Sequence, residues 1–456
     1  MCTFALLNKK NENMTRFCIM ILLAFWALTA TSQTAREEIK KNARLSGSNY
    51  LAYPGPQKQL TPAPKGYVPY YMSHYGRHGS RWLISENSYT CVLEPLRKAH
   101  EAGKLTQLGE GTLRQLEQFV SLPVANYPEL DGRHAGAQPR LGDLTTVGLR
   151  QHHGIGRRMA RNFPEIFKRK GVAIDARSTT VNRCILSMIA ECEELMAANP
   201  TARIHNDVSD ALQYYMNAPR TGLVKEGSRK GREIRKQLGS SVTPARLMQS
   251  LFNDPQWAAD SIQGDKLMSN LFEVVTNMQS HGCGEDMWNL FTKEECYDLW
   301  RAWNIDWYLG YGPAPQTGSI MQFSQANLLR NIIETTDTVM ASKTYKNGAA
   351  LRFGHEVCVM PLACLLELDN CGMAVDNLDE LDKYWRNYRI FPMACNIQLI
   401  FYRPKKGSTG AGDILVKALL NEREMTLPVS TATPPYYRWQ DLRDYYTQKL
   451  RQYRGQ

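Results

Sequence analysis

Three stretches constrain the fold more than anything else in the chain. Each is a short run of aromatic, β-branched or small apolar residues that ends in a basic turn and leads into helix-like sequence. The first is Tyr67-Val68-Pro69-Tyr70-Tyr71-Met72, followed by Ser73-His74-Tyr75-Gly76-Arg77-His78-Gly79-Ser80-Arg81. The second is Val172-Ala173-Ile174-Asp175, running into Ala176-Arg177-Ser178-Thr179-Thr180. The third is Ala349-Ala350-Leu351-Arg352-Phe353, followed by Gly354-His355-Glu356. A repeated strand, turn and helix predicts an α/β fold in which the turns gather at the carboxyl ends of the strands, where such sheets bind ligands. The residue types at those turns suit one task. Arginine forks match the oxygens of a phosphoryl group, and a histidine between two of them can attack phosphorus. Gly79 would let the backbone come close to the ligand. The bland alternative is a basic loop on a solvated surface; the arginine and the His-acid pair at the other two turns favour a site.

At 456 residues, 43% apolar and 22% charged, the chain is long enough for a large core and two lobes of an ordinary globular protein. Its start has the layout of a secretory signal peptide: Lys9, Lys10 and Arg16, then the apolar run 17–28, then Ala30-Thr31-Ser32 ahead of Gln33. Export with cleavage near Ser32-Gln33, to the periplasm or the medium, is expected, and the run is too short for a stable membrane anchor. Three basic residues and one acid leave with residues 1–32, taking the formal charge from +11 to +9. That favours anionic ligands. Nucleic acid is excluded as the expected partner, because no zinc-ligand spacing or aromatic RNA-binding motif accompanies the charge. Of eleven cysteines, Cys2 and Cys18 go with the leader, leaving an odd nine without a C-x-x-C spacing, so neither zinc nor a thioredoxin-like site is indicated. Export permits disulfides, but their pairing is not readable. No Walker lysine, dinucleotide fingerprint, nucleophile elbow or H-E-x-x-H occurs.

Along the chain, residues 33–66, with Pro54, Pro56, Pro62 and Pro64, read as an extended arm with little structure of its own. Residues 88–102 and 107–122 have helical spacing. A helix to about Phe163 would be capped by Asp143 or Thr145; its neighbours His152 and His153 point to different faces and make no metal pair. Another helix spans 181–196, with Arg183 placed inside it as a supporting ion-pair residue. From 199 to 324 strand signals nearly vanish and helical segments such as 267–278 and 293–303 dominate, which predicts an inserted helical lobe. Near its start Arg220, Lys225, Arg229, Lys230, Arg232, Arg235 and Lys236 face only Glu226 and Glu233. Such a face either steers a polyanion or is simply solvated, and the latter is the commoner case. A helix over 319–341, a last strand at 397–402 and a closing helix over 434–450 complete the reading.

Arg77-His78-Gly79-Ser80-Arg81, Arg177-Ser178-Thr179 and His355-Glu356, in this order behind a leader, resemble the histidine acid phosphatase branch of the histidine phosphatase superfamily. That branch holds phytases and multiple inositol-polyphosphate phosphatases. The likeness runs from about Tyr53 to the C-terminus, includes Leu144-Thr145-Thr146-Val147-Gly148, and is nearest to exported bacterial members. It implies a phosphoglycerate-mutase-like α/β/α sandwich with an inserted, mostly helical cap: 1–32 leader, 33–198 and 325–456 α/β domain, 199–324 cap. It also implies His78 as the nucleophile that becomes a phosphohistidine, Arg77, Arg81, Arg177 and His355 as phosphate ligands, and no metal or other cofactor. Two departures stand out. Leu83 occupies a position where the family commonly has proline. The acid follows its histidine directly as His355-Glu356-Val357, where the family has His-Asp or His-Ala-Glu. Glu356 is the expected proton donor; the alternative is a structural Glu356 with another acid donating. The implied substrate is a small anionic phosphomonoester, with inositol polyphosphates first, a broad acid or sugar phosphatase second, and an inactive anion-binding relative third. Oligomeric state is not legible.

Overall fold

The computed structural model describes residues 33–56, 58–125, 140–217, 222–238, 242–282, 286–342, 346–405 and 414–453. The expected leader, Arg220 and Cys283 lie outside these residues. Eight strands form one mixed sheet: β1 (Tyr67–Arg77), β2 (Ala173–Ser178), β3 (Arg203–Val208), β4 (Asn347–Gly354), β5 (Asn396–Pro404), β6 (Leu415–Leu420), β7 (Arg423–Met425) and β8 (Tyr437–Arg438). Their order is β3-β2-β4-β1-β5-β6-β7, with β8 also paired to β6. The strands from β3 to β1 run parallel, and β5 to β7 continue antiparallel. β1 is therefore central, which explains why its sequence is apolar and aromatic on both faces.

The longer helices are α1 (Asn87–Glu101), α2 (Gln107–Ala125), α3 (Thr146–Asn162), α4 (Asn182–Ala198), α5 (Gly222–Leu238), α6 (Gly264–Met278), α7 (Lys293–Tyr311), α8 (Ala326–Ala341), α9 (Glu356–Leu365) and α10 (Trp439–Gln452). Alternation along the strands sorts the core into two layers. Tyr71, Tyr75, Ala350, Ile397 and Phe401 pack with Leu328 and Ile332 of α8, Val359 and Leu362 of α9, and Leu442 of α10. Met72, Leu351, Ile174 and Ile400 pack on the other face with Ile155 and Met159 of α3 and Met188 and Leu195 of α4. The expected α/β/α sandwich is present.

The second lobe is helical but is assembled differently from the expectation. Its core joins Leu93 and Leu96 of α1, Leu113 and Phe119 of α2, Leu271 and Phe272 of α6 and Trp300 of α7 to Ile39 and Tyr50 from the N-terminal segment. The lobe is thus built from several stretches of chain, not from 199–324 alone, and within that range β3 joins the sheet beside β2. β3 escaped notice because it is an edge strand with polar residues at Arg203, His205, Asn206 and Asp207.

The N-terminal segment also differs from the expected arm. Ala35–Lys41 is helical, with a reciprocal Thr34–Glu37 capping box, and a 3-10 helix follows over Ala43–Tyr50. Only the proline-bearing part beyond it is extended. Sheet pairing continues past 397–402 in β6, β7 and β8. Among the described residues every cysteine is free, and all but Cys91 are buried. No helix among these residues is long and apolar enough to cross a membrane.

Candidate active site

β1 delivers its last residue, Arg77, to the end of the sheet, and two neighbouring strands fix the exit. The Arg77 N–H donates to the Cys395 carbonyl at 2.8 Å and the His78 N–H to the Gly354 carbonyl at 2.9 Å. α3 and α4 then pin the turn. Gln151 Oε1 accepts from the Ser80 N–H at 2.9 Å, Ser187 Oγ from the Gly79 N–H at 3.2 Å, and the Ser80 carbonyl from the Thr145 N–H at 2.9 Å. Thr145, not Asp143, caps α3, accepting from the Gly148 N–H at 3.2 Å. Gly79 is needed for this packing rather than for ligand approach: a Cβ there would lie 2.6 Å from the Gly148 backbone. The turn that carries His78 is therefore rigid.

His78 is 1% exposed. Its Nδ1 lies 2.8 Å from the Gly79 carbonyl, which only accepts, so Nδ1 carries the proton and Nε2 keeps its lone pair. Glu356 Oε2 is 3.9 Å from that Nε2 and 3.0 Å from Arg77 Nε. The His355 ring stands edge-on to the His78 ring with centroids 5.6 Å apart. His355 ends the β4 turn and Glu356 opens α9, so one strand-to-helix junction supplies both. The Thr179 hydroxyl, at the end of β2, lies 3.4 Å from His355 Nε2, and Cys184 Sγ lies 3.8 Å from it.

The arginines present unused donors. Arg77 spends Nη1 on the Asn49 and Phe391 carbonyls and leaves Nη2 buried without a partner. Arg81 spends Nη1 on the Trp82 carbonyl at 2.9 Å and leaves Nε unpartnered. Arg183 donates from Nη1 to the Gly142 carbonyl at 3.3 Å and leaves Nε unpartnered. Buried donors left open in this way call for an acceptor, and an anion beside them supplies it.

Electrostatics tie the group together. Burial, then the charges of Arg77, Arg183, His355 and Arg81, hold the His78 imidazole well below its ordinary value. Burial takes His355 down to about 4, with Arg183, Arg77 and Arg81 acting the same way against the opposing pull of Glu356. For Glu356 burial pushes upward, but Arg77, Arg81 and His355 outweigh it and hold the carboxyl at about 2. The His78 imidazole is thus neutral even in acid, and Glu356 is ionised while the site holds no anion. The Tyr311 phenol, at the C-terminal end of α7, is pushed up by burial and then by Glu356. One ligand atom each from His78, His355 and Glu356 falls within 4.8 Å of the others, a spacing a metal could use. The guanidinium charges around them oppose a dication there.

Arg77, His78, Arg81, His355 and Glu356 come together as the sequence predicts; Arg177 does not join them. Its Nε pairs with Asp175 at 2.9 Å, its Nη1 donates to the Tyr215 hydroxyl at 2.9 Å, and about a third of its side chain (32%) is exposed. In register it sits beside Arg352, two residues short of the level of Gly354 and Arg77. The β2 junction reaches the site through Thr179 and Arg183 instead. Arg183 had been assigned a supporting ion pair, yet it has no ion pair among the described residues and its charge bears directly on His78. The misjudged boundary is the strand end: β2 runs on to Ser178, so Arg177 lies within the strand, and Arg183 is in the first turn of α4.

By fold the chain is similar to the crystal structure of Bifidobacterium longum multiple inositol polyphosphate phosphatase in complex with inositol hexasulfate. The two share 18% identity over 88% of this chain and 97% of that one, with a TM-score of 0.69. It is also similar to the phytase from D. castellii, at 16% identity over 90% of this chain and 85% of that one, with a TM-score of 0.65. No curated protein matches it by sequence. The model of the histidine phosphatase superfamily, branch 2, matches residues 77–421, from the end of β1 into the β6–β7 turn, and the chain belongs to that family of phosphatases.

Proposed function

We propose that this phosphatase removes phosphate from inositol polyphosphates by way of a phosphohistidine. The observation that carries the chemistry is the set of unpartnered guanidinium N–H groups of Arg77, Arg81 and Arg183 around the lone pair of His78 Nε2. A phosphoryl group placed there has its oxygens held while Nε2 forms a bond to phosphorus. The ester P–O bond breaks, and the departing alkoxide takes a proton from Glu356. In the second step Glu356, now ionised, takes a proton from water. The water oxygen attacks phosphorus, the P–N bond breaks, and inorganic phosphate leaves. The arginines gain most as charge spreads over the equatorial oxygens, which is where a preorganised donor lowers the barrier. Glu356 holds its proton only once a bound phosphate offsets the arginine charges that now keep it at about 2.

Support for the inositol polyphosphate class comes from the fold shared with an enzyme of that name that binds inositol hexasulfate. A broad acid or sugar phosphatase is the second reading, favoured by one observation. Much of the basic face of α5 is already neutralised: Arg229 pairs with Glu226 and Glu233, and Arg235 with Asp306. Turnover of phytate against glucose 1-phosphate and p-nitrophenyl phosphate decides between them. Phytate should have the highest kcat/KM; no release of phosphate from phytate, with turnover of the other two, removes the first reading. Export after cleavage near Ser32-Gln33 belongs to the same proposal, and the N-terminal residue of the mature protein tests it.

A further inference from the structure

The N-terminal segment ends against the phosphate-holding arginines. Ser48 carries a φ of 56°, a left-handed backbone that a serine adopts at a cost, and its Oγ accepts from Asn387 Nδ2 at 2.7 Å. Asn387 is held in turn: its Oδ1 accepts from Trp300 Nε1 at 2.8 Å and its N–H donates to Asn304 Oδ1 at 2.9 Å. The strained turn aims the Asn49 carbonyl at Arg77 Nη1. The next residue, Tyr50, is buried, with its ring 5.5 Å from the Arg81 guanidinium carbon. Its hydroxyl donates to Glu273 Oε1 on α6 at 2.7 Å.

We infer that Tyr50 is a positioning residue for Arg81: its hydroxyl ties up Glu273 and its ring fixes the guanidinium, so that Arg81 faces the phosphate rather than the helical-lobe carboxylate. The inference rests on the phosphate-holding role of Arg81 proposed above. The geometry explains why an aromatic phenol stands there. The phenol offers Glu273 a neutral donor, which satisfies the carboxylate without using the charge of Arg81. The ring offers the guanidinium a cation–π contact that orients it. Burial and then Glu273 push the Tyr50 phenol upward, while Arg81 pulls it down, so both partners act on the one ring. Without the hydroxyl, Glu273 is left facing the nearby guanidinium and draws it away from the anion.

The test uses the mature protein, with inorganic phosphate as the probe and calorimetry as the readout, beside KM for p-nitrophenyl phosphate. Tyr50→Phe keeps the ring and loses the hydroxyl. It should raise the phosphate Kd and the KM about five- to tenfold, within the range of one ordinary hydrogen bond, since the effect on the anion is indirect. In an Arg81→Met background the same substitution should change Kd by less than about twofold, since the effect travels through Arg81. Adding Glu273→Gln to Tyr50→Phe should recover most of the loss, because the competing charge is gone. A purely structural Tyr50 would show the same loss with or without Arg81 and no recovery from Glu273→Gln, and either result overturns the inference. If Arg81→Met does not fold, the Glu273→Gln recovery decides alone. A wild-type protein that binds phosphate but hydrolyses no ester would overturn the catalytic reading and leave the Kd comparison intact. One that binds no phosphate overturns both.

Discussion

Replacing the two candidate third arginines separately tests the architecture of the site. Arg183→Ala removes the charge that, after burial and Arg77, weighs most on the His78 imidazole, together with a guanidinium Nε that has no other partner. Loss of one preorganised donor aimed at developing charge costs about 2.7–4 kcal/mol of transition-state stabilisation, or roughly 10²- to 10³-fold in kcat. Arg177→Ala breaks an ion pair with Asp175 whose side chains are about a third exposed (32% and 36%). Such a pair is worth only about 0.2–1 kcal/mol of stability, and turnover should stay within about twofold of the parent, since no step runs through it. Steady-state kinetics on p-nitrophenyl phosphate from pH 3 to 7 gives a second readout. Taking away the Arg183 charge relieves part of the depression of His78, so its pKa rises. The acid limb of kcat/KM should then move to higher pH in Arg183→Ala and stay in place in Arg177→Ala. The reasoning fails if Arg177→Ala loses a hundredfold while Arg183→Ala keeps activity within a few-fold of the parent.

Glu356→Gln should lower kcat/KM for alkyl phosphates by about 10²- to 10⁴-fold and spare kcat/KM for p-nitrophenyl phosphate, whose leaving group needs no proton, while kcat falls on both because the second step loses its base; equal losses of kcat/KM on both substrates would remove Glu356 as the donor. His78→Ala should abolish turnover and the phosphoenzyme that acid quench of the parent traps, and a trapped phosphoenzyme in the variant would refute the nucleophile. Gly79→Ala forces a Cβ to 2.6 Å from the Gly148 backbone, so α3 must shift; about 1–3 kcal/mol of stability and most of the activity should go, as thermal melts and kinetics would show. Burial holds His74 neutral with a pKa of about 3 against an ordinary 6.5, so between those values the unfolded chain binds the extra proton and stability falls as pH falls. At pH 4.5 this one group should cost about 2–3 kcal/mol relative to pH 7. Urea titrations at the two pH values check it, and no flattening of the difference in His74→Asn would refute it.

The strands that build the site were legible because each is central and apolar. β1 and β4 are buried on both faces, so their composition alone marks them, and the turns that follow carry their chemistry within a few residues. Edge elements were not. β3 reads as polar because the edge of a sheet faces solvent. The Thr34–Glu37 capping box was visible in sequence, but the prolines downstream coloured the whole arm as extended. Arg177 and Arg183 show the limit most clearly. Both are arginines at one strand-to-helix junction, and choosing between them requires knowing where β2 ends and α4 begins, a boundary that periodicity fixes only to within a few residues. Register settled it: Thr179, not Arg177, is level with Gly354.

The same arginine field has opposite consequences for the two groups that must exchange roles with substrate. For His78 it adds to burial, and both keep the ring neutral, so the proposed nucleophile is ready in acid where most exposed histidines are charged. For Glu356 it opposes burial and wins, so the carboxyl is ionised when the cleft is empty. A bound phosphate dianion takes up the N–H groups of Arg77, Arg81 and Arg183 and cancels much of their charge at Glu356. What then remains for Glu356 is its burial, which favours the protonated form. On the proposed mechanism the donor therefore acquires its proton as a consequence of substrate binding, and an acid medium supplies that proton most readily. The direct His355-Glu356 spacing fits this arrangement, since it places the acid at the first residue of α9, against Arg77 and beside the attacking Nε2.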